Sequence, residues 1–136
     1  MDRTLILVKP DAFGRGVTGE ILARFERKGL EIVALKHMTV ERDLAERHYE
    51  EHREKPFFGE LVQFITGGPL VALVLEGYEA IRAARQVIGA TNPLEADAGS
   101  IRGQYGLEVQ TNLVHGSDSP ESAQREVGLF FPELSG

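Results

Sequence analysis

The chain has 136 residues, 42% apolar and 26% charged, with a formal net charge of −6 and no cysteine. That balance is typical of one globular domain, expected over residues 1–136. The acidic charge argues against non-specific nucleic-acid binding through a large basic surface, and the missing thiols exclude disulfides, thiol catalysis and cysteine-ligated zinc.

In chain order, TLILVK, residues 4–9, is a β-branched apolar run stopped by Pro10 and reads as a buried strand. In GEILARFERKG, 19–29, Ile21, Leu22 and Phe25 recur at helical spacing, and Gly29 supplies the stop. LEIVALKHMTV, 30–40, reads as a second strand. ERDLAERHYEEHREK, 41–55, reads as one polar helix laced with charge pairs and ended by Pro56. FGELVQFITGG, 58–68, is a short amphipathic helix, PLVALVLEG, 69–77, a third strand, and YEAIRAARQVIG, 78–89, a helix closed by Gly89. Residues 90–106 show no period, and Thr91, Asn92, Pro93 and Arg102 mark them as a candidate binding loop. LEVQTNLVH, 107–115, gives a fourth strand; SPESAQREVGLFF, 119–131, is a helix with Ser119 as N-cap and Pro120 at its first position. PELSG, 132–136, reads as a surface tail. The order contains the β-α-β-β-α-β core of a ferredoxin-like sandwich, in the α/β (α+β) class: a four-stranded antiparallel sheet with additional helices and a long binding loop. No apolar run is long enough for a membrane span or a signal-peptide core, so a cytoplasmic protein is expected.

GRGVTG, 14–19, has the G-x-G-x-x-G spacing of a dinucleotide fingerprint, but PDAF separates it from the first strand, and a turn with a helix entry is the preferred reading. There is no G-x-x-x-x-G-K-[ST], which excludes a P-loop. His115 poses the harder question. Ser117 and Asp118 suggest a triad, yet residues this close in sequence do not readily align serine, imidazole and carboxylate. His37, His48 and His52 show no metal-ligand spacing with it, and local spacing alone favours a structural histidine. Its place at a strand end before a helix argues the other way. Glu126 on that helix can hold one ring nitrogen, leaving the other free to attack phosphorus. Lys9, Arg85 and Arg102 each read alone as solvated or ion-paired; brought together with Thr91 and Asn112 they would clamp a polyphosphate. Phe57 and Phe58 leave two readings open: both in the core or an interface, or one inside and the other stacked on a base.

NLVHGSDS resembles the N-x-x-H-G-S-D-S signature of nucleoside diphosphate kinases, and LVKPDAFGRG, HYEEHREKPFFGELVQFITGGP, GATNP, IRG and SPESAQREVGLFF resemble further blocks of that family in the same order. The resemblance covers nearly the whole chain. It implies transfer of the γ-phosphate of a nucleoside triphosphate to a nucleoside diphosphate, by a ping-pong route through phosphohistidine at His115. By the same resemblance Glu126 orients the histidine with Ser117 beside it, and Tyr49 supports the site. Lys9 and Asn112 bond the ribose, Lys9 also reaches the phosphates, Arg85, Thr91 and Arg102 bind phosphate, and Phe57 stacks on the base. Implied partners are nucleotides such as ATP, GTP and GDP carrying Mg2+ on their phosphates, with no metal ligands in the protein, no nucleic acid and no membrane. A homo-oligomer, hexamer or tetramer, is implied as well. The chain departs from the family pattern at Gln110-Thr111, where Gly-Arg is usual, at GQYG after Arg102, where Gly-Asp-Phe is usual, and at Ser100, where threonine is commoner. Two other readings stay open: a nucleotide-binding regulatory module without turnover, and a dinucleotide-dependent reductase resting on the glycine pattern.

Overall fold

Two aliphatic runs form the centre of the sheet: β1 (Asp2–Val8) and β3 (Leu70–Gly77) pair antiparallel from Asp2↔Gly77 to Val8↔Val71. The computed structural model describes residues 2–134. β2 (Glu31–Met38) flanks β3 and β4 (Val114–Gly116) flanks β1, giving the antiparallel order β2-β3-β1-β4. With α2 (Thr18–Lys28) following β1 and α5 (Ala80–Ile88) following β3, this is the ferredoxin-like sandwich expected. The inserted helices are α1 (Pro10–Gly14), α3 (Arg42–His48), α4 (Phe58–Ile65), α6 (Ile101–Tyr105) and α7 (Pro120–Phe130).

The central strands are continuously apolar because both faces of the sheet are covered. Ile6, Val8, Leu73 and Leu75 pack with Ile21 and Phe25 of α2 and Ala84 and Ile88 of α5. Leu5, Leu7, Ala72 and Val74 face the other way, onto Ala45, Val62, Ile65, Val127 and Phe130 of α3, α4 and α7. Each fully buried large side chain contributes about 1.5–3 kcal/mol. The polar outer rim falls on β2, the longer of the two edge strands, where Leu35 is half exposed.

Several elements differ from the sequence reading. The polar helix 41–55 stops at His48 and continues as a single 3-10 turn, Glu50–His52. Its end is set from outside: the Arg125 guanidinium donates to the carbonyls of Arg47 and His48, taking up oxygens that a longer helix would need. The fourth strand starts at Val114 rather than at residue 107. β1, its partner, ends where Pro10 opens α1, so the last ladder bond is Lys9 N–H to Leu113 O and nothing remains for residues 107–112 to pair with. Leu107 and Val109 are accordingly exposed. α1 is too short to show a helical period in the sequence; Pro10 takes its first position. Within residues 90–106 the chain forms a 3-10 turn, Pro93–Glu95, capped by the Asn92 side chain, and α6, capped by the Ser100 hydroxyl. Of the tail, Pro132–Leu134 is a 3-10 turn, and Ser135 and Gly136 lie outside the described residues. No helix among the described residues is long and apolar enough to cross a membrane.

Candidate functional site

His115 is the middle residue of β4, paired with Leu7 of β1. Before it the chain bends sharply. Val114 N–H donates to Asn112 O (2.8 Å) across Leu113, whose φ of 76° lies in the left-handed region. For a leucine that conformation costs about 1–3 kcal/mol, and it persists because its surroundings hold it: the Leu113 N–H donates to the Asp11 carboxylate (3.0 Å) and its carbonyl accepts from Lys9. The bend sets Asn112 and His115 against one cleft.

Behind His115 stands Glu126, delivered by α7, whose first turn is capped by the Ser119 hydroxyl accepting from Ser122 N–H. His115 Nε2 lies 2.9 Å from Glu126 Oε1, and Ser117 Oγ donates to the same oxygen at 2.7 Å while accepting from the Leu5 N–H. Burial by itself pushes the Glu126 carboxyl up. The hydrogen bond and charge of His115, with the Ser117 hydroxyl, outweigh it and hold the carboxyl below its ordinary value. An ionised Glu126 accepts a hydrogen bond from Nε2–H, so in the neutral tautomer that this favours, Nδ1 keeps its lone pair. Ser117 thus bonds Glu126 rather than the histidine, which disposes of the triad reading.

A second histidine was not singled out in the sequence. His48, 3% exposed at the end of α3, sets its ring edge-on to His115, with centroids 4.9 Å apart. Burial, and the charge of His115, push it down to about 3, so it is neutral. The available signal was its spacing: His48 falls three and four residues after Ala45 and Leu44, on the apolar stripe of α3. Tyr49 follows it, its phenol raised to about 12 by burial and by the negative charge of Glu126.

Opposite lies a cationic wall. Lys9 Nζ donates to Asn112 Oδ1 at 2.6 Å, and Asn112 Nδ2 donates to Thr91 O at 3.1 Å. The buried Arg102 guanidinium donates to the carbonyls of Asn112, Gly89 and Val114, binding the 90–106 segment to the strand that carries His115. Burial lowers Lys9 to about 8 and Arg102 to about 10; the Arg85 charge adds to the effect on Arg102, and Asp11 opposes it on both. Arg85 donates to Gly116 O at 3.1 Å.

Between these walls a cleft of about 620 Å³ is lined by Lys9, Tyr49, Phe57, Arg102, Asn112 and His115, within the range of small-ligand sites. A recess of about 250 Å³ shares Tyr49, Arg102 and His115 and adds Arg85, Thr91 and Glu126. Among the residues singled out in the sequence, Ser117 lies behind these walls, fully buried. Phe57 is 42% exposed on the cleft, whereas Phe58, the first residue of α4, packs against the core. Gln110 and Thr111 line the cleft wall from the exposed segment before the bend. In GRGVTG, Gly14 closes α1 and Gly19 lies inside α2, so no strand runs into the first glycine. Asp11 and Arg125, which hold the bend and the end of α3, were also missed; their partners are about a hundred and about eighty residues away in sequence.

A protein-family model described as nucleoside diphosphate kinase matches residues 2–135. A nucleoside diphosphate kinase of Frankia casuarinae is 64% identical over 135 residues, covering 99% of this chain and 98% of that protein. One of Archaeoglobus fulgidus is 57% identical over 133 residues, covering 98% and 88%. Among solved structures, a nucleoside diphosphate kinase family protein from Babesia bovis superposes with a TM-score of 0.95 at 48% identity, over 98% of this chain and 90% of that one. A halophilic nucleoside diphosphate kinase from Halobacterium salinarum, in complex with CDP, gives 0.92 at 48% identity, over 96% and 87%.

Proposed function

The chain belongs to the nucleoside diphosphate kinase family and is an enzyme that moves a phosphoryl group from a nucleoside triphosphate to a nucleoside diphosphate; we propose that His115 carries the group in transit. The observation behind this reading is the 2.9 Å contact of His115 Nε2 with a buried, ionised Glu126, which fixes the tautomer that exposes Nδ1. Nδ1 attacks the γ-phosphorus, the bond to the bridging oxygen breaks, and the diphosphate leaves with the electron pair. A second diphosphate then attacks phosphohistidine in the reverse sense. Glu126 balances the positive charge that develops on the ring, and Ser117 holds Glu126 in place. Lys9, Arg85, Thr91 and Arg102 stabilise the phosphate oxygens as charge shifts between them. Asn112 and Lys9 take the ribose hydroxyls. Phe57 offers a face on which any base stacks, which favours broad use of ATP, GTP, GDP and related nucleotides.

The family works with a divalent metal, and in this reading it is Mg2+, which supplies charge neutralisation on the phosphates. Magnesium demands oxygen donors, and among the described residues the group of three metal-capable side chains is His48, His115 and Glu126, two of them nitrogen donors. The donor set therefore favours an ion held by the nucleotide rather than by the protein. The reading takes residues 1–136 as one catalytic domain acting in the cytoplasm on soluble nucleotides, without nucleic acid or membrane. It also takes the protein as a homo-oligomer, hexamer or tetramer; the open edge of β2, with Leu35 half exposed, favours self-association.

Incubation with γ-labelled ATP and magnesium is expected to leave acid-labile, base-stable phosphate on the protein, and His115→Ala to abolish both label and transfer to GDP. Turnover retained in His115→Ala would sink the proposal, and binding without any exchange would favour the regulatory reading.

A further inference from the structure

We propose that His48, His115 and Glu126 together form an inhibitory site for Zn2+, separate from the ion that travels on the nucleotide. Each of the three offers a ligand atom, and these atoms lie within 4.8 Å of one another. Tetrahedral zinc bonds of about 2.0–2.2 Å to nitrogen and carboxylate oxygen set donors about 3.3–3.6 Å apart, so a pair at the full 4.8 Å closes by roughly 1.2–1.5 Å on binding. Two imidazoles and a carboxylate suit Zn2+ and are wrong for Mg2+.

His48 supplies the independent sign of a ligand. It is 3% exposed, and its Nδ1 is buried with no hydrogen-bond partner, although its ring lies against His115. A buried imidazole nitrogen left without a partner costs about 1–3 kcal/mol, which a metal ion bound at that nitrogen would offset. Burial also keeps His48 neutral, so no proton need leave before it coordinates. Glu126 arrives ionised, and the recess containing all three side chains gives a fourth position to water. The groups facing His48 besides the cluster are Tyr49, His52 and Arg125; the Arg125 cation opposes the ion, and its bonds to the Arg47 and His48 carbonyls hold the end of α3 in place.

The consequence for catalysis follows from imidazole chemistry. A neutral ring has one lone pair and one N–H. Zinc on Nδ1 occupies the nucleophilic lone pair; zinc on Nε2 displaces that proton to Nδ1. In either mode His115 cannot attack phosphorus. This inhibitory part rests on His115 being the phosphoryl carrier, whereas the binding part does not.

The test titrates nucleotide-free protein with Zn2+ against a chromophoric chelator in millimolar Mg2+. One ion per chain is expected, with affinity falling in His48→Gln and in Glu126→Gln by more than the roughly 10–100-fold typical of losing an outer-shell partner. Because His48 is buried, Co2+ is also added to the unaltered protein, where low-symmetry coordination gives strong visible absorption that Zn2+ should abolish. No stoichiometric ion in the unaltered protein, or unchanged affinity in both folded variants, overturns the site. Labelling by ATP should disappear over the same zinc range; labelling that survives saturating zinc overturns the inhibition. A protein never labelled, with or without zinc, counts instead against His115 as carrier, and the titration then decides the site alone.

Discussion

Burial lowers the Lys9 ammonium to about 8, while its hydrogen bond to Asn112 keeps it at the cleft wall. In free enzyme Lys9 therefore loses its charge as pH rises through about 8, and with it the cation that the proposed mechanism sets against the nucleotide phosphates. We expect kcat/KM to fall on the alkaline side with an apparent pKa near 8, and Lys9→Arg, which stays charged, to remove that limb even if activity drops overall. A pH–rate profile unchanged in the variant would refute this. At this scale the sequence carried residue types well and partnerships poorly. Lys9, Arg102, Asn112, His115 and Glu126 were all singled out, but His48 was passed over because it sat among charges, and Asp11 because its partner is the Leu113 backbone. That Arg102 holds three carbonyls could not be read at all, since the carbonyls belong to residues whose identity does not matter.

Elements deliver these side chains, and α7 shows how. Pro120 begins the helix, the Ser119 hydroxyl caps it, and about two turns later Glu126 meets His115. Removing the cap frees one N–H and frays the turn that sets where Glu126 lies. Ser119→Ala is expected to cost about 1 kcal/mol of stability, measured by urea unfolding, with a smaller loss in kcat than in stability. A kcat loss of several hundredfold at unchanged stability would place Ser119 in the chemistry instead. This helix was legible because its signals are local: serine, proline and an apolar face within thirteen residues. The errors fell where an element is limited by another. β4 is short because β1 runs out of pairing edge at Pro10, and α3 is short because Arg125 caps it from α7. Periodicity cannot register either constraint.

Across the whole molecule, the buried histidine and carboxylate make acid sensitivity a property of the fold. His48 stays neutral in the folded chain down to about 3 but takes up a proton near its ordinary 6.5 when unfolded. Between those values the unfolded state binds more protons, so stability falls as pH falls. Glu126 acts in the same direction: its folded value is lowered, so its contribution is present above the ordinary 4.5 and is lost as pH drops through the folded value. Stability to urea should therefore decline from about pH 6.5 downward, with a slope of up to about 1.4 kcal/mol per unit for each proton. His48→Gln should flatten the portion above 4.5; an unaltered slope in that variant would remove His48 as its source. The ferredoxin-like order was readable at this level because the two longest aliphatic runs mark the central strands and the amphipathic helices lie between strands.

The pairing of β4 with β1 also fixes when the enzyme becomes an enzyme. Lys9 and Asn112, joined by a hydrogen bond, are 103 residues apart in the chain, and Leu5 and Ser117 are 112 apart. Closing so long a loop belongs late in folding, after helices and local hairpins have formed. During refolding from urea, capacity to accept label at His115 should lag behind the recovery of helical circular dichroism; simultaneous recovery would show instead that the two ends meet early. A polypeptide still being made has no half-built site to misfire: until β4 and α7 emerge and dock, Lys9 has neither Asn112 beside it nor His115 across the cleft, and His115 has no Glu126 behind it.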